Sequence, residues 1–263
     1  MNWIEVNGTS LRYELSGSGP TTLVLIHEMG GTLESWDQVM PVLTNSRRVL
    51  RYDTRGAGLS EKTSVTVTWN QMVDDLAALL DALPITGKVA LAGIAVGAAI
   101  AVRFAVRYRD RVAALVLHGP ALGVSGDRRQ ATLSRAASVE AGGMRSVAEA
   151  SLANSYPPVV RLDPDVFAAF RARWLSNDPE SFAAINRMLA AENIEHELQR
   201  IACPTLLTAG RHDGLRPPSV IEPMARQIPG GQFLELNTGH FASVQTPGLI
   251  GQAIHYFLHA SGY

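Results

Sequence analysis

The chain has 263 residues, of which 46% are apolar and 18% charged, and its formal net charge is -1. This length suffices for one α/β domain with an insertion, and the apolar share argues against extended disorder. A nearly neutral chain has no basic field to attract nucleic acid or an anionic membrane, so we expect neither partner and a small-molecule substrate instead. The sequence leaves the oligomeric state open, a homodimer included.

The cellular location is predicted from three features of the sequence. The single cysteine, Cys203, permits no internal disulfide, which fits a reducing compartment. Residues 1–5 contain neither the basic segment nor the apolar segment of a secretory signal. No apolar run reaches the roughly 18 residues that a transmembrane helix needs. We therefore expect a cytoplasmic protein.

Eight short runs predict β-strands. The first two, Trp3–Val6 and Leu11–Leu15, alternate in polarity and flank Asn7-Gly8, a strong signal for a type I′ hairpin. Most of the others lack alternation, as strands do when both faces of a parallel sheet are covered. These six runs are Leu23–Ile26, Val49–Tyr52, Val89–Ala92, Val112–Leu117, Thr205–Thr208 and Phe233–Leu236.

Helical patterns separate these strands and also fill one long interval. Strand–helix alternation with right-handed crossovers predicts a doubly wound sheet. The alternating helices are predicted at Trp69–Leu83, Val96–Tyr108, Pro218–Gln227 and Pro247–His259. Between Pro120 and Ile201 no strand is predicted, and amphipathic pieces occupy 129–140, 144–155, 165–174 and 180–192. We therefore predict a core domain of residues 1–120 and 201–263 with a helical cap over 121–200.

The segment Gly93-Ile94-Ala95-Val96-Gly97 follows a predicted strand and opens a predicted helix. That is the context of a nucleophile elbow, G-x-S-x-G. Its glycines relieve crowding around a central residue with a strained backbone, and the helix N-terminus offers unpaired N–H groups. The nucleophile itself is missing, because the methyl group of Ala95 cannot attack a carbonyl.

Two later segments supply an acid and a base. Asp213 follows the strand predicted at Thr205–Thr208, and His240 follows the last predicted strand. The chain order is position 95, then Asp213, then His240, which is the nucleophile–acid–base order of α/β-hydrolases. We predict that His240 acts as the base and that Asp213 orients it.

The loop His27–Gly31 follows an early strand and is suited to an oxyanion hole. The N–H groups of Met29 and Val96 are the predicted donors. Glu28 in this loop is a candidate pocket residue, although a solvated or salt-bridged carboxylate is a more common environment for glutamate than a catalytic one.

Two further residues are candidates for the pocket wall. His118 ends a strand whose tip is expected to face the site, but a buried histidine with satisfied hydrogen bonds explains it equally simply. Trp174 in the predicted cap either contacts substrate or belongs to the core. Arg55 is expected to hold its loop through hydrogen bonds to carbonyl groups. No His, Cys or Glu set has metal-ligand spacing, so we predict neither a metal nor another cofactor.

These segments, together with Tyr52–Ser60, resemble the α/β-hydrolase superfamily, and within it the 3-oxoadipate enol-lactonase and meta-cleavage-product hydrolase branch. The resemblance implies a mostly parallel eight-stranded sheet with helices on both faces and an inserted helical cap. It also implies a Ser–His–Asp triad, an oxyanion hole, no cofactor, and a small ester, lactone or ring-cleavage-type diketone as substrate. Two positions depart from the pattern: Ala95 replaces the nucleophile, and Glu28 stands where glycine is usual.

Three explanations of Ala95 remain open from the sequence. The alanine is an introduced Ser→Ala change that traps substrate, since loss of one triad member removes turnover but can leave binding intact. Alternatively it is native, and Asp213 with His240 acts as a general base in a direct hydrolase, a lyase or a cofactor-free oxygenase. In the third, the chain is a non-catalytic binder of small molecules.

Overall fold

The computed structural model of the protein describes residues 2–124 and 126–263. Eight β-strands in this part of the chain form one sheet. Their bounds are β1 Asn2–Val6, β2 Thr9–Ser16, β3 Thr22–Ile26, β4 Arg48–Tyr52, β5 Val89–Ile94, β6 Val112–His118, β7 Thr205–Gly210 and β8 Gln232–Leu236. Each of the eight runs that the sequence predicts as strands coincides with one of them to within about two residues at either end.

The sheet is mostly parallel, as predicted. Its strand order is β1-β2-β4-β3-β5-β6-β7-β8. β1 and β2 form an antiparallel hairpin whose turn residues, Asn7 and Gly8, have φ of 48° and 66°, the signs that a type I′ turn requires. β2 also pairs antiparallel with β4, and all the remaining strand pairs run parallel.

The α-helices of the described residues account for every helix that the sequence predicts. Their bounds are α1 Met40–Leu43, α2 Trp69–Ala82, α3 Val96–Arg107, α4 Asp127–Gly142, α5 Ala148–Ser155, α6 Pro164–Leu175, α7 Pro179–Ala191, α8 Pro218–Gln227, α9 Ala242–Gln245 and α10 Pro247–Ala260. Helices α3 and α8 pack against β5 and β7, and α10 contacts β6. All residues of β3, β5 and β7 are buried, which is why these strands read as continuous apolar runs.

The four helices α4 to α7 lie between β6 and β7, within the segment predicted as a cap. Helix α4 packs mainly on α7. Helix α7 joins the core of the sheet through Ile185, Met188 and Leu189. A second apolar cluster, which includes Phe170, Trp174, Phe182 and Phe241, connects the cap helices to the loop after β8. The insertion is therefore seated over the end of the sheet by apolar packing.

No helix among residues 2–124 and 126–263 is both long enough and apolar enough to cross a bilayer.

Candidate active site

Ala95 lies in the sharp bend between β5 and α3. Its φ is 52° and its ψ is -110°. Among the described non-glycine residues only Asn7 and Ala95 have positive φ, and asparagine tolerates that region far better than alanine does. Such a backbone costs of order 1–3 kcal/mol, which the surrounding structure must impose. The bend is therefore a built feature and not an ordinary strand-to-helix turn.

The two glycines that flank Ala95 are required by close backbone approach. A Cβ atom on Gly97 would lie 2.2 Å from the carbonyl oxygen of Ile26, and one on Gly93 would lie 2.5 Å from the backbone nitrogen of Ala98. Only glycine permits these approaches, because real Cβ atoms do not come so close to backbone atoms. The glycines thus allow α3 to start directly against β3 and β5, which holds Ala95 at its tip.

Asp213 and His240 form a buried pair at the carboxyl ends of β7 and β8. Asp213 Oδ2 accepts a hydrogen bond from His240 Nδ1 at 2.6 Å. The other oxygen, Oδ1, accepts from the backbone N–H groups of Leu215 (2.8 Å) and Arg216 (2.9 Å). Because Nδ1 carries the proton donated to Asp213, Nε2 of the neutral ring is left as an acceptor that can take a proton.

The charge of Asp213 is stabilised by its neighbours. Burial raises the pKa of this carboxyl, but the attraction and hydrogen bond of His240, with the N–H of Arg216, outweigh burial and lower the pKa to about 2. Asp213 is therefore ionised at neutral pH and can support positive charge on the His240 ring.

The bend and the pair meet at the ends of adjacent strands. The N–H of Ala95 donates to the carbonyl oxygen of His118 at 2.9 Å. A Cβ atom on Gly119, the next residue, would lie 3.3 Å from Asp213 Oδ2 and 3.5 Å from His240 Nδ1. Ala95 and His240 both line one cavity. The structure thus brings together the three positions that the sequence predicts to form a catalytic set.

His118 lies behind this pair and does not line the cavity. Its Nε2 donates to the carbonyl oxygen of Gly239 at 3.1 Å, so its Nδ1 accepts from the Thr208 hydroxyl at 2.9 Å. Burial lowers the pKa of His118 to about 4, with a further contribution from His240 and opposition from Asp213. Of the two alternatives for His118, the buried histidine with satisfied hydrogen bonds is therefore correct and the pocket position is not: it is a neutral, fully hydrogen-bonded histidine beneath the loop that carries His240.

The predicted oxyanion donors lie at the cavity. Met29 and Val96 both line it. Val96 is the first residue of α3, where an N–H has no partner inside the helix. Within the described residues no backbone acceptor is recorded for the N–H of Met29 either. Two unpaired N–H groups in residues that line the same cavity as Ala95 are what a developing oxyanion requires.

Glu28 does not line this cavity, and its predicted environment is wrong. The side chain is 1% exposed and forms no ion pair with a described residue; its Oε1 accepts from the Ser35 hydroxyl at 2.9 Å. A Cβ atom on Gly31 would lie 2.3 Å from the same oxygen. The carboxylate therefore folds back over Gly31, inside the loop, because a glycine leaves room for it there. Its other oxygen has no hydrogen-bond partner among the described residues.

Arg55 has a structural role, although its main partner differs from the expected carbonyl groups. Its Nε and Nη2 both donate to the carboxylate of Asp75 at 2.8 Å. One carbonyl contact, to Asn7, accompanies them at 3.2 Å.

The cavity has a volume of about 400 Å³, which fits a small molecule. One wall is apolar and includes Trp174, Phe182, Leu189 and Phe241. Trp174 is at once a buried residue of the cap cluster and a lining residue of the cavity. Its contact with substrate stays a prediction. No group of His, Cys, Asp and Glu among the described residues could hold a metal ion.

Three arginines that the sequence does not predict as site residues also line the cavity: Arg128, Arg135 and Arg216. Arg135 lies over the ring of Phe182, 6.0 Å from its centre. The sequence contains a pattern that places two of these arginines together. Arg128, Thr132 and Arg135 are spaced i, i+4 and i+7, which places them on one face of a helix. Without knowledge of where the cap lies, however, a helix face that carries two arginines is predicted to be solvent-exposed.

The doubly wound sheet, the strained bend after β5 and the acid–histidine pair after β7 and β8 define an α/β-hydrolase. A family comparison supports this class: Hydrolase_4, serine aminopeptidase S33, matches residues 20–237. The chain belongs to this family.

Enol-lactonases, the branch that the sequence resembles, occur among the similar sequences and among the similar structures. A 3-oxoadipate enol-lactonase of Acinetobacter baylyi is 24% identical over 88% of this chain and 86% of its own. A pyrrolizixenacetamide deacetylase of Xenorhabdus hominickii is 26% identical over 94% of each chain. Among solved structures, a thermophilic esterase of Thermogutta terrifontis has a TM-score of 0.92 and 30% identity, covering 99% of both chains. An enol-lactonase of Burkholderia xenovorans has a TM-score of 0.92 and 27% identity, covering 98% and 100%.

Proposed function

We propose that the cavity is an ester- or lactone-hydrolysing site in which Ala95 closes the acyl-enzyme route. The observation that carries the proposal is the alanine held at φ 52° beside a complete Asp213–His240 pair. A strained bend is not needed to hold an alanine, but it is the geometry that presents a nucleophile in this fold. The activities named for the relatives, an esterase, an enol-lactonase and a deacetylase, support acyl transfer as the chemistry.

With serine at position 95 the reaction would follow the residues of the site in turn. The hydroxyl oxygen attacks the substrate carbonyl carbon while its proton passes to His240 Nε2. The N–H groups of Met29 and Val96 stabilise the oxyanion, and the leaving alkoxide takes the proton from His240. Water, deprotonated by His240, then cleaves the acyl-enzyme. Asp213 fixes the ring tautomer and supports its charge.

In the chain as it stands, the first of these steps has no nucleophile. The cavity, the oxyanion donors and the Asp213–His240 pair remain, so substrate binds without forming a covalent intermediate. The small-molecule substrate, with an ester, a lactone or a ring-cleavage-type diketone as its class, stays a prediction. So do the cytoplasmic location and the domain limits at residues 120 and 201.

Replacement of Ala95 by serine tests the proposal. Loss of a triad serine lowers kcat by roughly 10⁶ in a well-studied hydrolase, so we expect Ala95→Ser to raise hydrolysis of p-nitrophenyl acetate and γ-butyrolactone by at least about 10⁴. A fluorophosphonate probe should label the serine variant and leave the Ala95 protein unlabelled. Ala131→Ser is the matched control, because Ala131 lines the same cavity from helix α4, on a different element from the bend. If Ala95→Ser stays as inactive as this control, the proposal is wrong.

A second candidate function rests on the completeness of the Asp213–His240 pair without residue 95. A neutral His240 backed by an ionised Asp213 can remove a proton from water or from an acidic substrate. This general-base route predicts turnover by the Ala95 protein, equal turnover by Ala95→Ser, and loss of both on His240→Ala. Hydrolysis that appears only in the serine variant would exclude it.

A further inference from the structure

Besides its apolar residues, the cavity carries a concentration of positive charge. Arg128, Arg135 and Arg216 all line it. Arg128 and Arg135 project from the same face of α4, almost two turns apart. Arg216 comes from the loop after β7, three residues beyond Asp213. Two separate elements therefore direct guanidinium groups into one small space.

Among the described residues, no carboxylate forms an ion pair with these three arginines. Arg135 donates through Nε and Nη2 to the amide oxygen of Asn186, at 2.8 and 2.6 Å. Arg216 donates through Nη1 to the carbonyl of Leu215 at 3.0 Å. Both acceptors are neutral, and among the described residues none of the three arginines forms an ion pair. These partners orient the guanidinium groups of Arg135 and Arg216 but bring no negative charge to them.

Burial and repulsion between the cations act on Arg135 and Arg216. Burial lowers the pKa of Arg216, and so does Arg128. Burial also lowers the pKa of Arg135, with a contribution from Arg216. Two carboxylates, Asp213 and Glu195, act in the opposite direction on Arg216. Asp213 is already held by His240, and Glu195 accepts a hydrogen bond from Gln227. Three cations gathered in a partly buried space favour an anion as the missing partner.

We propose that the wall formed by Arg128, Arg135 and Arg216 binds a carboxylate of the substrate, so that the site takes an ester or lactone that carries an acid group. This deepens the proposed function and rests on it for the ester or lactone. The reacting carbonyl lies at Ala95 and His240, the carboxylate lies against the guanidinium groups, and the connecting carbons lie on the apolar wall. Guanidinium groups suit this role, because their N–H donors match the two oxygens of a carboxylate.

Binding to the unaltered chain tests the proposal without any need for turnover. The probes are monomethyl glutarate, which carries one carboxylate, and dimethyl glutarate, which has the same carbon chain and none. Calorimetric titration at low salt should give at least about tenfold tighter binding of the monoester, since hydrogen bonds to charged groups are worth that much. The preference should shrink as salt is added. Equal binding of the two esters, including no detectable binding of either, would overturn the proposal.

Single replacements then assign the preference to the wall. Arg216→Gln and Arg128→Gln should each reduce the monoester preference about tenfold and leave dimethyl glutarate binding unchanged. Arg128 is exposed, so its replacement is not expected to disturb folding. Arg129→Gln is the matched control, because Arg129 is the next residue of α4 and donates to the carbonyl of Ala190. A preference that survives both Arg216→Gln and Arg128→Gln would place the carboxylate elsewhere and contradict the proposal.

The same probes separate this proposal from the one before it. If the unaltered chain prefers the monoester but Ala95→Ser hydrolyses neither ester, the anion-binding wall stands and the hydrolase proposal fails. If Ala95→Ser hydrolyses both esters with equal kcat/KM and the unaltered chain binds them equally, the hydrolase proposal stands and the anion-binding wall fails.

Discussion

The sheet side and the cap side of the cavity differ in how their polar groups are satisfied. On the sheet side each oxygen of Asp213 accepts at least one hydrogen bond, and both ring nitrogens of His118 are engaged. The cap side is formed by the arginines of α4 together with Arg216 from the loop after β7. There Arg135 and Arg216 hydrogen-bond only to neutral oxygens among the described residues. The Asp213–His240 pair and the histidine behind it are thus fully oriented before any ligand arrives, whereas the cap side has charge left to pair.

This difference separates two tasks that a hydrolase site must perform. Orientation of a base has to be finished in the free protein, because a misplaced ring loses much of its effect on rate. Selection of a substrate uses groups that gain a partner only when the right ligand is bound. The sheet side of this cavity fits the first task, and the cap side fits the second.

The largest expected effect tests orientation on the sheet side. In the Ala95→Ser background, Asp213→Asn should lower kcat by roughly 10⁴, because an amide at this position favours the wrong tautomer of His240. KM should change little, since Asp213 is screened from the substrate by the ring. Ester hydrolysis by the double variant provides the measurement, and Asp165→Asn on the exposed face of α6 is the control. A loss of less than about tenfold would show that His240 does not depend on Asp213.

The next largest effect concerns His118, the buried histidine behind the Asp213–His240 pair. The pKa of His118 is lowered by burial to about 4 from an ordinary value of 6.5. The unfolded chain therefore binds more protons than the folded chain between these values, and the free energy of unfolding must fall as the pH falls from about 6.5 to 4. The full change is roughly 3 kcal/mol. Urea unfolding at several pH values measures it.

A matched pair of variants assigns this pH dependence. His118→Gln should flatten the fall between pH 6.5 and 4, and His259→Gln, at an exposed position on α10, should not. Asp213 cannot produce the same signal, because its pKa is lowered to about 2 and its contribution is lost only at lower pH. An unchanged slope in His118→Gln would show that another group carries the acid sensitivity.

The sequence predicts the sheet side far better than the cap side, for a physical reason. Continuous apolar runs indicate buried strands, and closely spaced glycines indicate a tight bend, so the strands and the bend at Ala95 can be predicted from local sequence. The positions of Asp213 and His240 follow from their order in the chain and from the strands that they follow. The direction of Arg135 depends on how α4 docks on α7, which no local pattern encodes. The burial of Glu28 is not predicted from the sequence for the same reason, because it depends on the space above Gly31, three residues away.

The smallest expected effect concerns the strain stored at the bend. Ala95→Gly should raise the free energy of unfolding by about 1 kcal/mol, because glycine adopts φ 52° without the 1–3 kcal/mol penalty that alanine bears there, less the entropy that glycine adds to the unfolded chain. Ala101→Gly within α3, at an ordinary helical position, should instead lower stability by about 1 kcal/mol or more. Thermal and urea unfolding of the two variants give the comparison. If Ala95→Gly and Ala101→Gly both lower the free energy of unfolding, the backbone at Ala95 is not strained. The bend would then no longer support a site shaped to present a nucleophile.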